Sequence, residues 1–136
     1  MQTVDRKITK FFVWAFLILM PSFLAADPPR VISIVAGKHA KFKVAGQKDA
    51  VITVKPGEVI KLKITSEKGP EYAKDGSVHS FTIRELKDQG WDLNLKEGTQ
   101  EFTLVAPDKP GEFLIECLVK CGPKHESMHA KLIVKP

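Results

Sequence analysis

Residues 59–65 read Val-Ile-Lys-Leu-Lys-Ile-Thr, so apolar and polar side chains alternate along this stretch. In an extended chain Ile60, Leu62 and Ile64 point to one side, and the two lysines between them point to the other. This period of two is typical of a strand in an antiparallel sheet, with one buried and one solvated face. The stretch therefore predicts a protein built from half-buried β-strands.

Short runs of the same kind occur on both sides of this strand. They cover residues 31–35, 42–44, 50–54, 78–83, 102–106, 113–117 and 131–134. The alternative for residues 42–44 is that they belong to the link to the next strand. Pro-Gly pairs and a polar stretch over 66–76 supply turn and loop signals between the runs. Residues 85–95 are predicted to be irregular, with one helical turn. Seven or so short strands separated by turns predict an all-β, Greek-key β-sandwich.

The first 26 residues have the pattern of a secretory signal peptide. Arg6, Lys7 and Lys10 precede an unbroken apolar run, and two alanines follow at 25–26. A helix that spans a membrane usually needs about 20 apolar residues. The stretch from residue 11 to residue 26 has 16 residues and contains Pro21. We therefore expect an exported, periplasmic protein with a signal peptide over 1–26 and a single domain over 27–136. An uncleaved membrane anchor at the N-terminus is the alternative.

The charge and cysteine content exclude several classes of protein. Residues 27–136 carry 18 basic and 15 acidic side chains, a small excess that is typical of an ordinary solvated surface. The sequence has no basic run with interleaved aromatic residues, which is the pattern that would indicate binding to nucleic acid. Two cysteines are too few for a disulfide-dense scaffold, so a hydrophobic core must stabilise the fold. No Ser-His-Asp set, phosphate loop or carboxylate pair supports hydrolysis, and we predict no catalytic residue.

One loop near the C-terminus concentrates soft metal ligands. Cys117, Cys121, His125 and Met128 lie within twelve residues, between the last two predicted strands. Thiolate and thioether sulfur favour copper, and imidazole suits copper as well. Methionine is a poor ligand for zinc, whose sites use cysteine, histidine or carboxylate. The loop therefore predicts a copper site, and His79 on an earlier strand is the best candidate for a further ligand.

The spacing Cys-x-x-x-Cys-Gly-x-x-His-x-x-Met, preceded about forty residues earlier by Val-His-Ser-Phe, resembles the CuA cupredoxin domain. That domain occurs in cytochrome c oxidase subunit II and in nitrous oxide reductase. The resemblance covers roughly residues 76–134. It implies a cupredoxin fold and a binuclear copper centre that transfers electrons between protein partners, a cytochrome or an oxidase.

The resemblance also implies the ligands of two copper ions: His79, Cys117, Val119, Cys121, His125 and Met128. The two cysteine thiolates would bridge the coppers, and each histidine would bind one of them. Met128 would be a weak axial ligand, and Val119 would contribute only its backbone carbonyl oxygen. We expect His129 and His39 to be solvated and Trp91 to be packed in or beside the core.

This sequence also departs from the family. Subunit II commonly has an acidic residue where Val119 stands, so a magnesium site at that position is in doubt. Subunit II also has two well-defined membrane helices and an acidic patch that receives cytochrome c. Both features are missing here, and the loop between Cys117 and Met128 carries Lys120 and Lys124 instead. Nitrous oxide reductase has a large additional domain that 136 residues cannot hold. The resemblance therefore implies a small exported relative.

Other interpretations of the same residues remain open. The two cysteines alone predict a disulfide in an exported protein, most of all in the metal-free state. If Cys117 were only a core residue, Cys121, His125, Met128 and His79 would make a mononuclear blue-copper site. A zinc site would instead use Cys117, Cys121, His125 and His79 and would leave Met128 unused. The main functional hypothesis is a single-domain electron carrier without enzymatic activity of its own. The alternatives are a subunit II-like component of a compact terminal oxidase, and a periplasmic protein for copper storage or delivery.

Overall fold

The computed structural model of the protein describes Ser22 and residues 26–136. Nearly all of the predicted signal peptide or anchor, residues 1–26, lies outside the described residues, so both interpretations of it stay predictions. In the part of the chain that is described, no helix combines the length and the apolar character needed to cross a membrane.

Nine strands make up just under half of the described chain. They are β1 (Arg30–Gly37), β2 (Lys41–Val44), β3 (Val51–Val54), β4 (Val59–Ser66), β5 (His79–Thr82), β6 (Asp92–Leu95), β7 (Gly98–Val105), β8 (Gly111–Glu116) and β9 (His129–Val134). Two short 3-10 helices, Arg84–Gln89 and His125–Ser127, are the helical elements of this region.

The strands form two sheets that pack face to face. One sheet has four strands in the order β2-β1-β4-β7, and the other has five in the order β3-β9-β8-β5-β6. Two of the pairings, β1 with β4 and β3 with β9, are parallel, and in both cases other strands lie between the two partners in the sequence. The predicted all-β sandwich is confirmed.

The core lies between the sheets, and β4 shows why the strands form where they do. Ile60, Leu62 and Ile64 are completely buried on its inner face, as the alternation predicts. Burying one such side chain contributes about 1.5–3 kcal/mol. Trp91 is also completely buried, and its indole N–H donates to the carbonyl of Val105 at 3.1 Å, so its polar atom is satisfied.

The prediction that residues 85–95 are irregular was wrong at its C-terminal end. A 3-10 helix occupies Arg84–Gln89, and the following residues form strand β6. Leu93 and Leu95 alternate there with polar residues, and β6 pairs with β5 at the edge of the five-stranded sheet. The pattern is only four residues long and lacks β-branched side chains, which is why it reads as irregular from the sequence.

The parallel pairing of β1 with β4 sets the position of three loops. Both strands end at the same edge of the molecule, after Gly37 and Ser66. Strand β5 begins there at His79, and the loop between β8 and β9 lies at the same end because Glu116 pairs with His129. The fold therefore brings the loops 37–41, 66–79 and 117–128 together at one end, which we call the ligand end.

Candidate metal centre

The ligand loop, residues 117–128, is held at both of its ends by the last hairpin of the five-stranded sheet. Cys117 follows β8 directly and Met128 precedes β9 directly. The Cys117 N–H donates to the Met128 carbonyl at 3.2 Å, which extends the β8–β9 ladder by one bond into the loop. Cys117 and Met128 therefore start from backbone positions that are fixed by a strand pair.

The structure brings all six predicted ligands together. Sulfur to sulfur, Cys117 and Cys121 lie 4.0 Å apart, and Cys117 Sγ is 3.9 Å from His79 Nδ1. Cys121 Sγ is 3.9 Å from His125 Nδ1. Donor atoms that share one metal at about 2.0–2.3 Å in tetrahedral geometry lie about 3–4 Å apart, so these separations suit a metal between them.

The two weaker predicted ligands flank the sulfurs. Met128 Sδ lies 3.9 Å from Cys121 Sγ, and the carbonyl oxygen of Val119 lies 3.3 Å from Cys117 Sγ. Met128 is completely buried. A thioether and a carbonyl oxygen therefore lie against different sulfurs, one on each side of the cysteine pair.

Three of the predicted donor atoms form a compact triangle, and a fourth lies beside it. His79, Cys117 and Cys121 have donor atoms that all lie within 4.8 Å of one another. His125 stands outside that group of three, with its Nδ1 atom 3.9 Å from Cys121 Sγ. Each sulfur thus has one imidazole nitrogen 3.9 Å away.

The orientation of His79 is fixed by a hydrogen bond on its far side. Its Nε2 atom lies 2.7 Å from the carbonyl oxygen of Glu67, to which an N–H at this position donates. That tautomer leaves the lone pair of Nδ1 facing Cys117, as a metal-binding imidazole requires. Burial lowers the pKa of His79, and the hydrogen bond to Glu67 opposes this effect only in part. The neutral, metal-binding form is therefore the favoured one.

The sulfur of Cys121 lies in surroundings that disfavour an isolated negative charge. Burial, followed by repulsion from Cys117, raises the pKa of the Cys121 thiol to about 12. A thiol of this kind becomes a thiolate when a cation replaces its proton. A cation bound beside Cys121 would therefore favour its thiolate form. The residues fit copper, because two thiolates, two imidazoles and a thioether form a soft donor set.

Ser80 forms hydrogen bonds with Cys117 and with the next residue, Leu118, a role that the sequence analysis did not assign. Its N–H donates to Cys117 Sγ at 3.4 Å, and its Oγ accepts a hydrogen bond from the Leu118 N–H at 2.7 Å. Thr82 Oγ1 lies 3.1 Å from the same hydroxyl oxygen. Ser80 is part of the Val-His-Ser-Phe segment, but a serine on a strand carries no signal until the packing of the neighbouring loop is known.

Two glycines allow the loops of the ligand end to pack against each other. A Cβ at Gly69 would lie 2.4 Å from the carbonyl oxygen of Cys121, and a Cβ at Gly122 would lie 2.9 Å from Pro70 Cγ. Gly122 also has a φ of +149°, which is strained for other residues. The loop 66–79 therefore lies directly on the backbone of the ligand loop and shields Cys121 from water.

One of the predicted donor side chains is more exposed than the other four. Four of the five predicted donor side chains are buried: His79, Cys117, Cys121 and Met128. His125 is half-buried and follows the exposed residues Pro123 and Lys124. The imidazole of His125 is therefore the point at which the cluster reaches the surface.

The remaining predicted residues lie outside the cluster. His129 is exposed at the start of β9, His39 is exposed in the turn between β1 and β2, and Trp91 lies in the core. The ammonium group of Lys120 lies 3.5 Å from the carboxylate of Glu71.

No protein-family model matches the sequence, and a comparison with curated proteins finds no match. Solved structures do match. A chain of a heme-copper terminal oxidase dimer is 19% identical, with a TM-score of 0.57 over 78% of this chain and 65% of that chain. The protein therefore spans just under two thirds of that oxidase chain.

Two further matches cover most of both chains. The periplasmic domain of subunit II of the cytochrome oxidase of Bradyrhizobium japonicum is 16% identical, with a TM-score of 0.54 over 81% of this chain and 86% of that chain. Auracyanin A, a blue copper protein from Chloroflexus aurantiacus, is 18% identical, with a TM-score of 0.51 over 79% of this chain and 100% of that chain. The protein therefore has the cupredoxin fold, which it shares with the periplasmic domain of an oxidase subunit II and with a blue copper protein.

Proposed function

We propose that this protein is an exported electron carrier whose centre holds two copper ions of the CuA type. The observation that carries the proposal is the cluster of donor atoms of His79, Cys117, Cys121 and His125, with separations of 3.9, 4.0 and 3.9 Å. Two metals that are bridged by both thiolates need one further imidazole each, and this cluster supplies two.

The cluster suits two metal ions better than one. A single tetrahedral ion needs all of its donors near one point, and His125 stands outside the group of three whose donor atoms are within 4.8 Å of one another. Met128 Sδ lies beside Cys121 and the Val119 carbonyl lies beside Cys117, so that each cysteine has one additional weak donor next to it. A mononuclear blue-copper site would leave Cys117 without a role.

A disulfide and a zinc site explain fewer of the contacts. The sulfurs are 4.0 Å apart and both cysteines are free, whereas a disulfide bond is about 2.05 Å long. Closing that bond would leave His79 oriented by Glu67 toward a sulfur that cannot bind metal. A zinc site would leave the completely buried Met128 unused.

The surrounding residues suit electron transfer, which is fastest when the ligands move little. Two coppers bridged by both thiolates would share one electron when bound, so that each metal–ligand bond changes only slightly. His79 is held by the carbonyl of Glu67, Cys117 is held by Ser80, and the β8–β9 ladder holds both ends of the ligand loop. The half-buried His125 gives a partner protein access to the cluster.

A subunit II-like component of a compact terminal oxidase is the second candidate function. The fold that this chain shares with an oxidase subunit II favours it, and an uncleaved anchor within residues 1–26 would attach the domain to the membrane. The fold alone does not separate a carrier from a subunit. Copper storage or delivery is less favoured, since four of the five donor side chains are buried and would exchange metal slowly.

Copper loading under anaerobic conditions tests the proposal. The reduced protein should bind close to two coppers per chain, and zinc at equal concentration should not displace them. Replacing Cys117 by serine should reduce the stoichiometry to one copper or none. Replacing the exposed His129 by alanine is the matched control and should leave it at two. One copper in the unaltered protein, or preferential binding of zinc, would contradict the proposal.

A further inference from the structure

We propose that a groove rich in lysine beside the ligand loop is the docking site for an acidic segment of a redox partner protein. The groove consists of two adjoining depressions of about 180 and 430 Å³, which share His39 and Lys124 in their walls. Cys121 lines the smaller one, and Lys41 and Lys43 line the larger one. The inference rests on the proposed function, because it assigns a partner to the same centre.

The groove is strongly basic for its size. Lys38 lines the smaller depression, and with Lys41, Lys43 and Lys124 it gives four lysines against one carboxylate, that of Glu67. The Glu67 carboxylate is already engaged, since it accepts a hydrogen bond from the Lys38 N–H at 3.1 Å. The ammonium groups therefore lie beside a single carboxylate that is oriented toward the backbone.

In the described part of the chain, no salt bridge compensates the charges of the four groove lysines. Within the described residues, salt bridges engage Lys61, Lys87, Lys96, Lys120 and Lys131, but none of the four groove lysines. All four groove lysines are exposed. Their charge is therefore available to a partner.

The groove also accounts for the net charge of the chain beyond residue 26. Residues 27–136 carry 18 basic and 15 acidic side chains. The groove holds four of the basic ones and one of the acidic ones, so that 14 basic and 14 acidic side chains remain elsewhere. The charges elsewhere sum to zero, so the groove has the same net charge as residues 27–136 as a whole, and a concentration of positive charge of this kind attracts anions and directs their approach.

The position of the groove points to an electron-transfer partner. It extends from the outer face of β2 to Cys121, next to the half-buried His125. A protein that lays an acidic segment along the lysines would bring its own redox centre close to the exposed edge of the cluster. Charge complementarity of this kind raises the rate of association and fixes the orientation of the partners, and its effect falls with added salt.

A charge-reversal experiment tests the proposal on the copper-loaded protein. The variant Lys41→Glu/Lys43→Glu changes two lysines that are distant in sequence from every predicted ligand. The control Lys109→Glu/Lys135→Glu changes the net charge equally but lies away from the groove. Oxidation of the reduced protein by hexacyanoferrate(III), which takes one electron and becomes hexacyanoferrate(II), should slow about tenfold at low salt in the groove variant and less than about twofold in the control. Oxidation by the cationic tris(phenanthroline)cobalt(III) should not slow in either variant.

A second measurement needs no copper and so separates this proposal from the proposed function. A ten-residue polyglutamate peptide added to the metal-free protein should shift the backbone NMR signals of residues 38–43 and 124, and the groove variant should abolish these shifts. Equal slowing in both variants, or peptide shifts elsewhere on the surface, would overturn the docking site even if copper binds as proposed. Binding of phosphatidylglycerol vesicles through the groove, without binding of the peptide, would also overturn it, because the groove would then be a membrane-binding surface. Specific peptide shifts in a protein that never binds copper would support the groove while contradicting the proposed function.

Discussion

The two sheets of the sandwich are both built from short strands, but they differ in the kinds of residue that their strands bury. In the four-stranded sheet, β4 alternates strictly between buried and less buried residues, as a strand between core and solvent should. In the five-stranded sheet, all four residues of β5 are buried, and three of them, His79, Ser80 and Thr82, are polar. Buried polar groups are costly unless they are hydrogen-bonded. The first sheet therefore supplies stability, and we infer that the second uses part of that stability to position the predicted ligands.

The largest expected effect on stability comes from the sheet without ligands. Replacing the completely buried Leu62 by alanine should destabilise the fold by about 2–5 kcal/mol. Urea unfolding of the metal-free protein measures this loss, and copper stoichiometry of the folded fraction should stay unchanged. Val31 is 55% exposed, and Val31→Ala is the control that should cost less than about 0.5 kcal/mol. A lower stoichiometry in folded Leu62→Ala protein would show that the two sheets do not divide their roles in this way.

Adding a methyl group at the contact between the two loops should affect stability and metal binding together. In Gly69→Ala the new Cβ would meet the carbonyl oxygen of Cys121 at 2.4 Å, so one backbone segment must move. We expect a loss of about 1–3 kcal/mol in unfolding free energy and weaker copper binding, because the movement displaces Cys121. Gly111→Ala is the matched control, since its nearest contact would be an ordinary 3.7 Å. Unchanged copper affinity in Gly69→Ala would show that the loop contact does not position Cys121.

Removing one hydroxyl group from β5 should have a smaller effect on stability but a specific one on the centre. Ser80→Ala leaves the Leu118 N–H without its acceptor and should cost about 1–2 kcal/mol. It should also shift the absorption bands of the copper-loaded protein, because Leu118 is bonded directly to Cys117. Ser33→Ala, on the exposed face of β1, should change neither property. An unaltered spectrum together with unaltered stability would remove Ser80 from the positioning of Cys117.

The smallest effect is expected at the end of the sandwich that lies away from the ligands. The hydrogen bond from Arg30 lowers the pKa of Glu58 below its ordinary value of 4.5. The ionised carboxylate is therefore favoured in the folded state, and its contribution is present above pH 4.5 and is lost as the pH falls through the lower folded-state value. Because this pair is partly exposed, Glu58→Gln should cost less than about 1 kcal/mol at pH 7. It should also reduce the dependence of stability on pH on the acid side, which urea unfolding at a series of pH values measures.

The sequence predicts the two sheets with different success for physical reasons. The alternation in β4 arises because one face of the strand is buried and the other is solvated, so the sequence identifies Ile60, Leu62 and Ile64 as core residues. The ligand loop is also readable, because cysteine, histidine and methionine at fixed spacing have few other uses. Strand β6 and the role of Ser80 are not readable in this way. Both depend on which segments pack beside them, and a four-residue edge strand or a single serine carries no such information alone.

The electron-spin spectrum of the oxidised, copper-loaded protein tests the central claim most directly. If Cys117 and Cys121 bridge two coppers that share one unpaired electron, the hyperfine pattern must show coupling to two equivalent copper nuclei, and Cys117→Ser must abolish that pattern. Coupling to a single copper nucleus in the unaltered protein, or a spectrum that Cys117→Ser leaves unchanged, would contradict the account.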